Sequence, residues 1–223
     1  FFGARQDHAK AHQYAMRLYR TGELGGDVQQ TLANWYLTVG LDQVDDVGVA
    51  CDVLAQRWRV GDMQDDDEVL RLLSLLAAVE DDNTVLEVAD GAMAATDSPL
   101  DDDTRGRIAT VASGAALRLD LEALAHDFIT GVPLASLPRE GRTTYVTVMV
   151  ERGLHAVALD AVLTWVSSEY DEALLRVGAE LAAYADRMED LAKVVKSALW
   201  YPAISGQDAF QHLIEECRLV VWM

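Results

Sequence analysis

Apolar residues recur three and four positions apart along almost the whole chain. Glu68 to Val79, Thr104 to Leu117 and Glu172 to Ala185 are clear instances of this amphipathic helical spacing. Strict alternation, the mark of a half-buried strand, is nearly absent. The stretch richest in β-branched residues, Thr143 to Val150, runs on into Glu151-Arg152 without hairpin chemistry and reads as a buried helix. The expected fold class is therefore all-α.

The breaks between periodic segments carry start and stop signals. Asp65-Asp66-Asp67 and Asp101-Asp102-Asp103 place cap residues and negative charge at helix N-termini. Gly25-Gly26-Asp27 and Ser205-Gly206 punctuate other junctions. A calcium loop needs alternating oxygens, a Gly turn and a distal Glu, and the Asp triplets do not supply that pattern. Helices are expected near 27–40, 67–79, 103–117, 139–152, 171–185 and 207–221. Each pairs with a helix centred on a small residue, at Ala15, Ala50, Ala89, Ala125, Ala158 and Ala192. These alanines recur at spacings of 35, 39, 36, 33 and 34 residues. A small residue at the point of closest approach lets two helix axes come together. Self-similarity at such a period is the mark of a repeat architecture.

A period near 35 with two helices per unit resembles the tetratricopeptide and pentatricopeptide repeat superfamily. The pentatricopeptide likeness is clearest at Thr143-Thr144-Tyr145-Val146-Thr147-Val148-Met149-Val150-Glu151-Arg152-Gly153. The resemblance implies a right-handed α-solenoid of about twelve helices in antiparallel pairs, forming a single helical-repeat domain over 1–223. It also implies a binding mode along a concave surface. RNA-reading members of the family carry a polar base-reading residue at the slot that is Val146 here, so the RNA code is not carried over. The first unit lacks a leading helix and the last, 207–221, lacks a second. The apolar end Leu219-Val220-Val221-Trp222-Met223 suits packing onto the final repeat.

Charge narrows the partners. The formal net charge is −19, and the cations are almost all Arg, the lysines being Lys10, Lys193 and Lys196. Phosphate backbones and anionic membrane surfaces are poor complements to such a chain, whereas a protein with a basic face is a natural one. No apolar run reaches the ~20 residues that span a bilayer. An RNA-binding alternative would need a local basic stripe, for which Arg105, Arg107, Arg139, Arg142 and Arg176 are the available residues.

Catalytic motifs are missing. There is no Gly-x-Ser-x-Gly elbow and no Gly-rich phosphate loop. Cys51 and Cys217 read as buried free thiols of a reducing compartment, and Cys51 has no nearby basic residue within its own helix to activate it. His8 and His12 have metal-ligand spacing on one helix face, but two ligands do not complete a site. Neither a metal nor a cofactor is expected. Trp35, Tyr36, Trp200, Tyr201 and Trp222 are the large aromatic side chains available as interface anchors. The reading is a non-catalytic scaffold or accessory subunit that binds protein partners in a hetero-oligomeric complex. The opening Phe1-Phe2-Gly3, without an initiator Met, fits a chain released from an organellar leader. The expected compartment is the mitochondrial matrix or another organelle interior, with the cytoplasm as the alternative.

Overall fold

The computed structural model describes residues 47–94 and 100–198, apart from 62 and 64, together with a few residues nearer the two ends. All regular structure among the described residues is helical: α1 Val47–Arg59, α2 Asp66–Ala78, α3 Asp82–Ala94, α4 Asp102–Arg118, α5 Glu122–Thr130, a 3-10 turn Leu134–Ser136, α6 Arg139–Glu151, α7 His155–Ser168, α8 Glu172–Tyr184 and α9 Met188–Ala198. The expected helices near 67–79, 103–117, 139–152 and 171–185 are α2, α4, α6 and α8. Of the helices expected near 27–40 and 207–221 only Leu32, Ala33, Trp35, Tyr36 and Glu215 are among the described residues, all helical, and the centre at Ala15 lies outside them. The acidic starts act as caps. The Asp65 carboxylate accepts the Glu68 N–H at 2.9 Å, Asp101 accepts that of Thr104 at 2.7 Å, and Asp171 accepts those of Ala173 and Leu174.

One turn recurs. Glu80, Asp120, Gly153 and Asp186 have φ of 56°, 57°, 71° and 56°, in the left-handed region. They join α2 to α3, α4 to α5, α6 to α7 and α8 to α9. At each, the following N–H reaches back to the carbonyl five residues earlier: Asp81 to Leu76 at 3.0 Å, Leu121 to Ala116 at 2.8 Å, Leu154 to Met149 at 2.8 Å and Arg187 to Ala182 at 2.7 Å. This six-to-one bond with a left-handed residue inside it is the Schellman cap. Counting from the turn defines a register. The fifth residue is Val85, Ala125, Ala158 or Leu191, and the ninth is Ala89, Ile129, Val162 or Val195; all eight are fully buried. Ala125 and Ala158 hold the first slot, Ala89 holds the second, and Ala192 sits beside Leu191.

Each helix packs on its chain neighbour, and contacts also run between alternate helices: α1 with α3, α2 with α4, α4 with α6, and α7 with α9. The apolar interior forms two clusters that meet at α4. Ile108, Ala112 and Ala115 belong to one, Ala109 and Ala116 to the other. A helix buried on two faces needs small side chains, and α4 supplies them. A Cβ on Gly106 would collide with the Ser136 carbonyl of the 3-10 turn, and one on Gly141 of α6 would collide with the Thr110 hydroxyl of α4. The Ser113 hydroxyl donates to the Ala125 carbonyl at 3.0 Å, tying α4 to α5. Trp165 of α7 donates its indole N–H to the Leu134 carbonyl at 3.1 Å and meets Tyr145 edge to face.

Cys51 is a buried free thiol, held up at about 11 by burial first and then by Asp52 and Asp81. No helix among the described residues is long and apolar enough to cross a membrane.

Three substitutions test the close approach and the turn. Gly106→Ala is expected to lower unfolding free energy in urea by about 1–3 kcal/mol, the usual cost of overpacking against backbone. Gly153→Ala is expected to cost about 1–2 kcal/mol, because it puts a Cβ on a left-handed residue. Asp120→Gly should leave stability within about 0.5 kcal/mol, since relief of that strain is offset by a freer unfolded chain. If Gly153→Ala matches the wild type, the left-handed turn is not present in solution.

Candidate functional site

α6 forms despite six β-branched residues from Thr143 to Val150, each slightly unfavourable in a helix. Burial of Tyr145, Val146, Val148 and Met149 overrides that preference. The Thr144 and Thr147 hydroxyls are satisfied by the Glu140 and Thr143 carbonyls one turn back. The stretch read from sequence as wholly buried is thus only half so. Thr143, Thr147 and Val150 are exposed, because this face looks across a gap toward α8.

α6 and α8 stand apart, unlike α2, α4 and α6, which pack in succession. Between them lies a groove of about 430 Å³. At the N-terminal ends the two helices are tied by Arg139, whose Nε donates to the Asp171 carboxylate at 2.8 Å. The floor is apolar, made by Val146, Val150, Leu174, Val177 and Leu181. At the far end the lining changes to Glu151, Glu180, His155 and Tyr184. The His155 and Tyr184 rings stack with centroids 4.2 Å apart and planes at 29°. Tyr184 is nonetheless 74% exposed. The chain positions these groups simply. Glu180 and Tyr184 are one turn apart on α8 and so share a face, and His155 opens α7 directly after the Gly153 turn.

The electrostatics are one-sided. Glu151 and Glu180 form no ion pair with any described residue, whereas carboxylates nearby do: Glu169 with Arg142, Glu172 with Arg176, and Asp160 and Asp190 with Arg187. Asp171 is 4% exposed. Burial pushes its carboxyl up, but the Arg139 guanidinium and the Leu174 and Ala173 N–H groups outweigh this and hold it below the usual range. The Arg142 guanidinium lies 5.9 Å from the Trp165 ring centroid.

The residues singled out from sequence fall elsewhere. His8, His12, Trp200, Tyr201 and Trp222 lie outside the described residues. Trp35 is half-buried and meets Tyr36 edge to face at 5.1 Å. Tyr36 is fully buried, its hydroxyl donating to Met16 Sδ at 3.2 Å, so its ring belongs to the core. Of the five arginines available for a basic stripe, Arg139, Arg142 and Arg176 are engaged by carboxylates. Among the described residues no three His, Cys, Asp or Glu side chains come together to hold a metal ion. Sequence reasoning singled out none of Glu151, His155, Glu180 and Tyr184 as site residues. The available signal was α6 itself, apolar on two faces, only one of which its neighbours could cover.

No protein-family model matches the chain, and no curated protein or solved structure is significantly similar to it.

Asp171 anchors the closed end of the groove, and its removal is measurable. Asp171→Ala is expected to destabilise the fold by roughly 1–2 kcal/mol at neutral pH, as for a lost N-cap. Because the folded-state pKa is lowered, the stabilisation is complete above the ordinary Asp value of about 3.9 and fades as pH falls through the depressed one. Urea titrations should therefore show the gap between wild type and variant narrowing below about pH 4. A gap that persists unchanged at lower pH would contradict the assignment.

Proposed function

We propose that this chain is a non-catalytic helical-repeat scaffold, a right-handed α-solenoid of antiparallel helix pairs, that binds protein partners with a basic face inside a larger assembly. The observation that carries the reading is the groove between α6 and α8. Its apolar floor is left open, and its one charged end is acidic. Such a surface suits a protein segment better than a polyanion, which needs clustered Lys and Arg. The recurrent left-handed turn and the contacts between alternate helices support a repeat array, in which each unit covers its neighbour's apolar face.

The test is native mass spectrometry of the endogenous chain purified from its source. It is expected in a heteromeric particle well above its own 24.5 kDa. A monomer carrying nothing would count against the scaffold reading. Salt-dependent binding of single-stranded RNA at about 0.15 M ionic strength would favour a nucleic-acid role instead, and none is expected.

A further inference from the structure

We infer that the α6–α8 groove takes a partner segment in which an aliphatic side chain is followed by a Lys or Arg, the aliphatic group seated on Val146 and Val177 and the cation held at Glu151, Glu180 and Tyr184. This deepens the scaffold reading and rests on it.

The groove has two chemically distinct halves. From Thr143 to Glu151 it runs for two helical turns, about 12 Å at 1.5 Å per residue. That length admits two turns of a docked helix or about four residues of extended chain. The half near the N-terminal ends offers Val146, Leu174 and Val177 and no charge of its own, because Arg139 and Asp171 neutralise each other there. Filling it with an aliphatic group removes apolar surface from water on both sides.

The other half selects charge. Glu151 and Glu180 are exposed and without a cationic partner among the described residues, whereas Asp171, Glu169, Glu172 and Asp160 are each paired with an arginine. Tyr184 has His155 stacked on it and the greater part of its surface free. Two carboxylates lining the same groove as an exposed phenol ring attract an ammonium or guanidinium through charge and through the ring quadrupole. An anionic or purely apolar segment would leave both carboxylates uncompensated. A second copy of this chain is opposed by the repulsion of two bodies each carrying −19.

The test uses the purified full chain and a random-peptide phage library. Panning is expected to enrich peptides pairing an aliphatic residue with Lys or Arg within four positions. The best of these should lose about tenfold in affinity against Glu151→Gln/Glu180→Gln, which keeps shape and removes charge, and should lose binding altogether against Val177→Arg, which fills the apolar half. Circular dichroism and thermal melting confirm that each variant is folded. If Val177→Arg fails to fold, the double Gln variant, altered only at exposed positions, decides alone.

No enriched motif, a motif without a cation, or binding indifferent to Glu151→Gln/Glu180→Gln would each overturn the assignment. So would a wild-type dimer that Val177→Arg dissociates, since the groove would then belong to a second copy. The two readings fail separately. A native heteromeric complex that survives both variants would keep the scaffold and sink this groove, whereas a chain with no partner at all would sink the scaffold.

Discussion

A single left-handed residue, at Glu80, Asp120, Gly153 or Asp186, closes each helix pair. With the next N–H committed to a carbonyl five residues back, the chain leaves the first helix and starts the second within three residues. That brevity fixes which faces meet. The fifth and ninth positions after the turn fall inside in every pair, whether occupied by Val, Ala, Leu or Ile. Side-chain size then adjusts the depth of packing but not the register. The alanine spacing seen in the sequence is a partial trace of this rule, since alanine fills only some of the buried slots.

Once pairs are fixed, the freedom that remains is the distance between them. α4 removes most of it. Gly106 admits the backbone of the 3-10 turn, Gly141 admits the Thr110 side chain, and Ala109, Ala112 and Ala116 keep both faces shallow. No such device operates between α6 and α8. Gly178, the glycine of α8, looks at Val162 and Leu191 on the opposite side. α8 is thereby drawn onto α7 and α9 and away from α6, and the groove is the space this leaves.

The sequence carried the local part of this structure and little of the relational part. Helix limits for α2, α4, α6 and α8 were legible because Asp caps and apolar spacing are properties of adjacent residues. The turn was mostly hidden. Only Gly153 shows the residue such a cap prefers, while Glu80, Asp120 and Asp186 occupy the same conformation with a Cβ. Tyr36 and the open face of α6 were harder still. An aromatic ring reads the same in sequence whether it anchors a partner or fills a core. An apolar helix face reads the same whether a neighbour covers it or stands several ångströms away.

Charge separates the groove from the rest of the surface. Arg118 with Asp82, Arg139 with Asp171, Arg187 with Asp160 and Arg59 with Glu87 each join one helix to another. The exposed pairs Arg59–Glu87 and Arg187–Asp160 contribute at most about 1 kcal/mol apiece, so the apolar clusters and not these bridges hold the fold. Their consequence is electrostatic. A chain with 18 cations against 37 acidic residues places many of its arginines in contacts within itself, and few remain to offset the other carboxylates. No described cation pairs with Glu151 or Glu180, where the apolar floor ends and the Tyr184 ring stands open. A segment that brings positive charge to that end of the groove is the natural complement to these two carboxylates.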